Sequence, residues 1–475
     1  MLAATLVALA IVAGGIAAAY WPGLMTWDAV RQYGQAIDGD YDDWHPPAME
    51  WLWRQLVPIA RGPAPMLVLQ LALYWSGFAL LAARAVARRR HRLAIALAAC
   101  GLLPLALALM GAVLKDCLMA GALVSATGLL AWRDATGDGA DDGADDGAGH
   151  GRMRWLAAGA GVLGLVLLLA AATLRFNAFL ACAPLAVALL PAACRRTPAR
   201  IAATGLVAGG VLLAAMPIAN RLIGARPSGV ELSLVIFDLG GITERSGVNV
   251  FPTPPATRDA VAINRRCYSP VKWDPYSDWV DPPCPLGFVP MRAALATSGA
   301  SANLLLARAV LAHPIAYAAH RLRHFNINTR FLVHDEVERP VQVVSAPNAW
   351  NYRTTPSRLL SAIDWLALAS ARTPLGWPIC WIALAFGLLL ARRALPSRGF
   401  VVPLAASALL YGLGYGIFSV AAELRYHLWT MIAALIAAIV AAGDWRMPGG
   451  QRWRTAALAL TPVVVVTALA AAWRL

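Results

Sequence analysis

The polar residues of this chain that can do chemistry gather in short patches beside long apolar runs. TWDAVRQ (26–32) places Asp28 a few positions after the first run, and YDDWHPP (41–47) adds Asp42, Asp43 and His45. LKDCLMA carries Lys115 and Asp116, LRFNAF carries Arg175 and Asn177, and ELRYHLW carries Glu423, Arg425, Tyr426 and His427. A carboxylate can take a proton from an attacking hydroxyl or hold a divalent ion. Arginine and lysine can neutralise the phosphate of a leaving group. An ionisable residue at a membrane boundary is costly unless it is paired or lines a wet cavity, so each of these is a functional candidate.

The elements that must position them are apolar. The 475 residues are 59% hydrophobic and only 14% charged, against about 25% charged in soluble domains. Runs at 2–20, 64–86, 93–112, 116–132, 155–174, 178–194, 200–219, 376–391, 400–420, 427–443 and 455–473 are of the length that crosses a hydrocarbon core of about 30 Å as a helix. They predict an all-α polytopic membrane protein of about eleven spans. The net charge of +14 would suggest nucleic acid in a soluble protein. Here much of the arginine sits between apolar runs, in RRRHR (88–92), RRTPAR (195–200), RRALPSR (392–398) and GDWRMPGGQRWR. All four fall on one side if the N-terminus is cytoplasmic and the C-terminus outside, as the positive-inside rule requires. No nucleic-acid partner is expected. The first run is read as a retained anchor and not a signal peptide, since no basic segment precedes it.

On that topology the candidate residues share the opposite, periplasmic face. The chain divides into an N-terminal transmembrane module (1–220) with its first outer loop at 21–63, a periplasmic subdomain (221–375) and C-terminal transmembrane helices (376–475). The insert is expected to be mixed: the β-branched stretch VELSLVIF, proline-rich turns, a helix over about 302–325 and an amphipathic helix, SRLLSAIDWLALASAR (357–372), lying on the membrane surface. Five cysteines (Cys100, Cys117, Cys182, Cys194, Cys380) fall in or beside apolar runs. Cys267 and Cys284 bracket the polar CYSPVKWDPYSDWVDPPC. In an oxidising periplasm they read as a disulfide; the alternative is two loop thiols. The Gly-Asp loop at 137–151 lacks the spaced hydrophobics and closing Glu of a calcium loop and reads as a linker.

Each candidate has a plainer role beside the chemical one. Asp28 can cap a surface helix, and Asp42 and Asp43 can be ordinary loop acids. His45 can brace the turn before the helix AMEWLWRQL. Lys115 with Asp116 can be a local pair at a helix start. Arg175 and Arg425 can snorkel at the interface, where Tyr426 and Trp429 are at home. His313, His320 and His324 fall on one helical face by spacing, which suits packing more than metal binding, since no acid is fixed beside them. VHDEVE could supply such acids.

WPGLMTWDAVRQ followed by DWHPP, then LKDCLMA, LRFNAF and ELRYHLW, resembles the GT-C superfamily of polytopic glycosyltransferases, which includes protein O-mannosyltransferases and lipid A aminoarabinose transferases. The resemblance spans roughly the first 220 residues and the last hundred. It implies a GT-C-like fold and a bacterial inner-membrane enzyme with its active site on the periplasmic face. The activity implied is transfer of a sugar, with inversion, from a polyprenyl-phosphate donor to an envelope glycan, lipid or protein, among membrane lipids. Asp28 matches the family's catalytic aspartate, and Asp116 is similar to its second-loop acid. Lys115, Arg175, Asn177 and Arg425, with His45 and His427, become candidates for binding substrate and lipid phosphate. This first loop lacks an acid immediately paired with Asp28, which leaves open whether a divalent ion (Mg or Mn) takes part. No cofactor is otherwise implied, and no phosphate-cradling glycine loop is present. Two other readings stay open. An O-antigen polymerase or ligase would lean on arginine and histidine. A flippase or transporter of lipid-linked saccharides would need polar or broken helices at the bilayer midplane.

Overall fold

A backbone in hydrocarbon must satisfy every N–H and C=O within its own segment, and the apolar runs of this chain do so as helices. The computed structural model of the protein describes residues 2–133, 148–252, 259–334, 344–444 and 449–475. The acidic linker up to residue 147 and the acids of VHDEVE lie outside them. Among the described residues every regular element is helical, and β-type pairing is limited to three isolated bridges.

Among the described residues seven helices are long and apolar enough to cross a membrane: Leu2–Ala19, Ala64–Ala87, Trp155–Ala172, Pro198–Ile223, Arg398–Phe418, Leu424–Gly443 and Gln451–Arg474. The number reaches nine if each of two bent pairs is one span. Four of the eleven predicted runs are not among the seven; one of them, 116–132, forms the almost wholly buried Lys115–Arg133. Pro104 breaks the run at 93–112 into His91–Cys100 and Pro104–Met110, bent by 51°. The runs at 178–194 and 376–391 yield Ala178–Leu189 and Pro378–Leu390, which at 1.5 Å per residue are only about 18–20 Å long.

Contacts divide the chain into two units. The first holds Met1–Arg226, Arg339–Gly412 and Leu424–Leu469; the second holds Pro227–Glu338, Leu413–Glu423 and Ala470–Leu475. In the first, Ala64–Ala87 packs closely against the almost wholly buried Lys115–Arg133. Gly77 makes that approach possible, because a Cβ there would lie 2.4 Å from the Val124 carbonyl carbon. Small residues at such crossings let helix backbones approach where lipid offers no hydrophobic drive. Ser125 Oγ donates to the Leu73 carbonyl (2.5 Å), and Trp132 Nε1 to the Leu80 carbonyl (2.9 Å). The two helices therefore run in the same direction.

That direction gives the unit two distinct ends. Lys115 starts at the same end as Ala64, while Arg84, Arg88 and Arg133 sit at the other. Arg133 donates to the Ala188 carbonyl (2.7 Å), Arg90 to the Gly443 carbonyl (2.5 Å), and the Ser397 N–H to Asp444 (2.8 Å). The helices Ala178–Leu189 and Leu428–Gly443 thus begin at the Lys115 end and finish among arginines. The amphipathic helix Arg358–Ala371 starts on the Ser357 cap, which accepts from the Leu360 N–H at 3.1 Å, and packs on Pro104–Met110.

The second unit corrects the expectation of a mixed insert. VELSLVIF lies in the helix Glu231–Ser246, burying Leu232, Val235, Ile236, Leu239 and Ile242. The helix is buried nearly all round from Val235 to Thr243, and a short apolar run does not by itself distinguish strand from helix. Cys267 and Cys284 are joined by a disulfide. The expected helix over 302–325 is two helices, Ala302–Ala312 and Pro314–Asn328, because Pro314 disfavours helical conformation at His313.

Candidate active site

Asp28 owes its place to a capped helix and a pinned loop. Trp27–Asp38 begins at Thr26, whose hydroxyl accepts from the Ala29 N–H at 3.2 Å. A carboxylate in the first turn is favoured there by the helix dipole. Immediately upstream, the Leu24 N–H donates to the Gly111 carbonyl (3.1 Å) and the Val113 N–H to the Leu24 carbonyl (2.9 Å). Gly111 has no side chain because the Tyr20 ring fills that space: a Cβ would lie 2.1 Å from Tyr20 Cδ1. Gln70 Nε2 donates to the carbonyls of Met110 (2.7 Å) and Ala112 (2.8 Å), fixing the turn that leads into Lys115. These backbone ties set the first loop against the start of the Lys115 helix.

The other edge of the loop is held by a segment that the sequence gives no reason to place there. The Ala346 N–H donates to the Met25 carbonyl (2.7 Å), and Ser345 Oγ accepts from the Met25 N–H (3.1 Å). Trp350 meets Tyr33 edge-on with ring centroids 4.7 Å apart. Tyr33 OH in turn accepts from the Gly62 N–H at 2.8 Å.

Around Asp28 the cations converge. Arg425, in the 3-10 turn Leu424–His427, donates from Nη1 to Asp28 Oδ2 at 2.8 Å. His45 Nε2 lies 3.8 Å from Asp28 Oδ1, and Lys115 Nζ is 2.5 Å from His45 Nδ1. A charged lysine can only donate, so Nδ1 accepts and the imidazole proton sits on Nε2, facing the carboxylate. Arg175, in the turn before Ala178–Leu189, pairs with Asp116 in a direct salt bridge. The Tyr426 ring adjoins both guanidiniums, its centroid 4.4 Å from Arg175 Cζ and 5.6 Å from Arg425 Cζ. All these residues belong to the first unit.

The two carboxylates are not equivalent. The Asp28 side chain keeps 23% of its surface exposed, whereas that of Asp116 keeps 1%. Burial alone would raise the Asp28 pKa, but Arg425 foremost, with Lys115, outweighs it and holds the carboxyl well below the usual carboxylate range. His45 is pushed down to about 3 by burial and then by Lys115, so its ring is neutral at physiological pH. Asp28 is thus a reachable, ionised carboxylate, and Asp116 a buried counter-ion that fixes Arg175.

The remaining predicted residues fall as follows. Asn177 is buried at the start of its helix, and its Nδ2 has no hydrogen-bond partner among the described residues. His427 is fully buried at the end of the Arg425 turn. Asp42 pairs with Arg31 (2.5 Å) and Asp40 with Arg226 (2.5 Å), while the Asp43 N–H donates to the Arg226 carbonyl (3.1 Å). These acids shape the loop. Of the three histidines, His320 and His324 are buried in the second unit, and His320 Nε2 lies 3.2 Å from Asp238. Asp238 also takes Arg321 Nη2 at 2.6 Å, and Tyr268 OH is 2.9 Å from His320 Nδ1. His313 is separated from them by the break at Pro314, so the three do not form one helical face.

Glu50 was not among the sequence candidates. It is buried on the helix Ala48–Leu56, and Oε1 accepts from Gln32 Nε2 at 3.0 Å. Burial pushes its pKa up to about 8, so it is mostly protonated at neutral pH. The signal was present: Gln32 follows Asp28 by four residues, and Glu50 shares the buried face of Trp53.

The arrangement does not suit a divalent ion. Asp28 and Asp116 each face an arginine, with Lys115 adjoining. No three His, Cys, Asp or Glu side chains converge as metal ligands among the described residues. It suits a phosphate, which would meet Lys115, Arg175 and Arg425 at the end of apolar helices. No protein-family model, curated protein or solved structure matches this chain.

Proposed function

We propose that the protein is a membrane glycosyltransferase that moves a sugar, with inversion, from a polyprenyl-phosphate donor to an envelope acceptor on the periplasmic face of a bacterial inner membrane. The observation that carries this reading is the pairing of a partly exposed carboxylate, Asp28, with Arg425, beside Lys115 and the Asp116-fixed Arg175. The cationic group has the chemistry to bind the donor's phosphodiester, and the phosphate monoester it becomes, with the prenyl tail against the apolar helices. The site lies at the end of the first unit away from Arg84, Arg88 and Arg133. If the positive-inside rule applies, this is the periplasmic end. A disulfide at Cys267–Cys284 suits the same oxidising compartment.

The reaction then balances simply. The acceptor oxygen attacks the anomeric carbon, the bond from that carbon to the phosphate oxygen breaks, and the configuration inverts. The acceptor proton passes to Asp28, and the new negative charge on polyprenyl phosphate is held by Lys115, Arg175 and Arg425. Asp28 is too firmly paired with Arg425 to be a good base at rest. A donor phosphate that competes for Arg425 loosens that pair and raises the basicity of Asp28 as the reaction needs it.

The test is release of polyprenyl phosphate from polyprenyl-phosphate hexoses and pentoses by purified protein with an envelope extract as acceptor. Asp28→Asn should lower release by about 10²–10⁴-fold with folded protein intact. No release by the wild type from any donor would overturn the transferase reading. Full activity of Asp28→Asn would move it toward a polymerase or ligase relying on arginine and histidine.

A further inference from the structure

Two helices of the second unit, Phe288–Ser298 and Ala302–Ala312, are together as apolar as a membrane span but are bent against each other by 101°. Gly299, with a φ of +63°, ends the first of them. Each is 11 residues long, about 16 Å against a hydrocarbon core of about 30 Å, so neither limb crosses it. The chain also enters and leaves this region at one place. Before it, the Trp273 N–H donates to the Val420 carbonyl and the Ala422 N–H to the Val271 carbonyl, both at 2.9 Å. After it, Asn328 Nδ2 donates to Ser419 Oγ (3.1 Å) and to the Ala421 carbonyl (3.0 Å). Residues 419–422 directly follow Phe418, where the apolar helix Arg398–Phe418 ends. A stretch whose two ends meet beside the end of one span doubles back and does not cross.

We propose that residues 288–322 form a re-entrant segment seated in one leaflet of the bilayer, with acyl chains covering Leu304, Leu311, Ile315 and Leu322. A helix that is apolar nearly all round is covered either by protein or by lipid. Phe288–Ser298 buries Phe288, Met291 and Leu295 within the protein, but Ala302–Ala312 buries only Ala309. Leu304 is 51% exposed and Leu311 82%, and Ile315 and Leu322 on the next helix, Pro314–Asn328, are 84% and 69% exposed. No aspartate or glutamate occurs from residue 288 to residue 328. Arg292 and Arg308 carry long apolar stems, which let their guanidiniums reach the headgroups while the helices stay in hydrocarbon. The tie to residues 419–422 places the ends of the segment at the bilayer edge, so lipid is the apolar cover within reach. The proposal moves part of the expected periplasmic insert into the membrane, and it does not depend on what the Asp28 cluster does.

Photo-labelling of the unaltered full chain in vesicles tests it. The probe is phosphatidylcholine with an aryl diazirine in one acyl chain, and the attachment sites are read by peptide mass spectrometry. Label is expected on residues 302–322, as on the span Gln451–Arg474 in the same sample, and not on the exposed Asp278 and Asp281 of the disulfide loop. Label on Gln451–Arg474 with none on 302–322 would overturn the proposal. So would a cross-linked dimer of the chain in which 302–322 is shielded from lipid, because a second copy would then be the cover. Leu311→Asp with Ile315→Asp places two carboxylates where hydrocarbon excludes them. The double variant should lose label on 302–322 by about ten-fold or more, with Gln451–Arg474 labelled as before to show the helices still in the bilayer. Unchanged label on 302–322 in that variant would put the segment among the headgroups and overturn its burial in acyl chains.

Discussion

Replacing Arg425 by glutamine isolates the central electrostatic claim. Arg425 Nη1 sits 2.8 Å from Asp28 Oδ2, with the Asp28 side chain 23% exposed. Burial raises the Asp28 pKa and the cations bring it back well below the usual range. Removing the main cation leaves the burial effect with less opposing it. An opposite charge at this distance is worth about 1–3 pKa units, or roughly 1.4–4 kcal/mol. The sign follows from linkage. In the wild type the depressed pKa contributes stability at all pH values above about 3.9, lost only as the pH falls through the folded-state value. In Arg425→Gln that contribution shrinks, and the folded-state pKa rises toward or above the unfolded value. The acid limb of kcat/KM, which reports the free enzyme, should then move upward by about 1–3 units. Polyprenyl phosphate release measured from pH 4 to 9, with thermal unfolding at each pH, reads both effects. The reasoning fails if Arg425→Gln retains measurable activity with an acid limb no higher than that of the wild type.

Three further outcomes test neighbouring parts of the site. Asp116→Asn removes the counter-ion of Arg175 at a position that is 1% exposed; it should raise KM for the donor about ten-fold or more while Asp28-dependent proton transfer persists, so a fall in kcat alone would contradict the assigned role. Glu50, with its pKa raised to about 8 by burial, favours folding most below about pH 4.3 and loses that contribution as the pH rises toward and through 8. Glu50→Gln should therefore flatten the decline in melting temperature between pH 5 and 9, and an unchanged slope would sink the assignment. EDTA should leave the rate within about two-fold, because the carboxylates are compensated by arginine and not arranged for a divalent ion; loss of activity restored by Mg or Mn would reverse that conclusion.

The helical membrane class was legible because hydropathy is a local property: seven long apolar helices stand where runs were predicted. Their number was less so. Pro104 looks like one residue in an apolar run, but it divides that run into two helices bent by 51°. The insert was misread at VELSLVIF, whose β-branched residues fit a pleated surface as readily as the buried face of Glu231–Ser246. At the site, the patches at Asp28, His45, Lys115, Asp116, Arg175 and Arg425 could be named because ionisable residues are conspicuous beside apolar runs. Their pairing could not, since Asp28 and Arg425 are 397 residues apart in the chain. Glu50 was missed because it sits within an ordinary amphipathic turn. The contact of residues 345–350 with the first loop leaves no pattern at all in the sequence.

The pairing also explains why so many opposite charges can share one end of a bundle of apolar helices. Each of the two carboxylates would be costly there alone, and so would each arginine. Together, Asp28 with Arg425 and Asp116 with Arg175 are close to neutral, while Lys115 rests on an uncharged His45. An anion arriving at this cluster meets Lys115 beside the two pairs. To gain more it must draw Arg425 from Asp28, because Arg175 is held by the more deeply buried acid. The exposed pair is therefore the one that can open, and the carboxylate it frees is the one an acceptor hydroxyl can reach. On this reading the difference in exposure between Asp28 and Asp116 divides the labour between them. Under the proposed function, phosphate binding is the event that turns Asp28 from a counter-ion into a base.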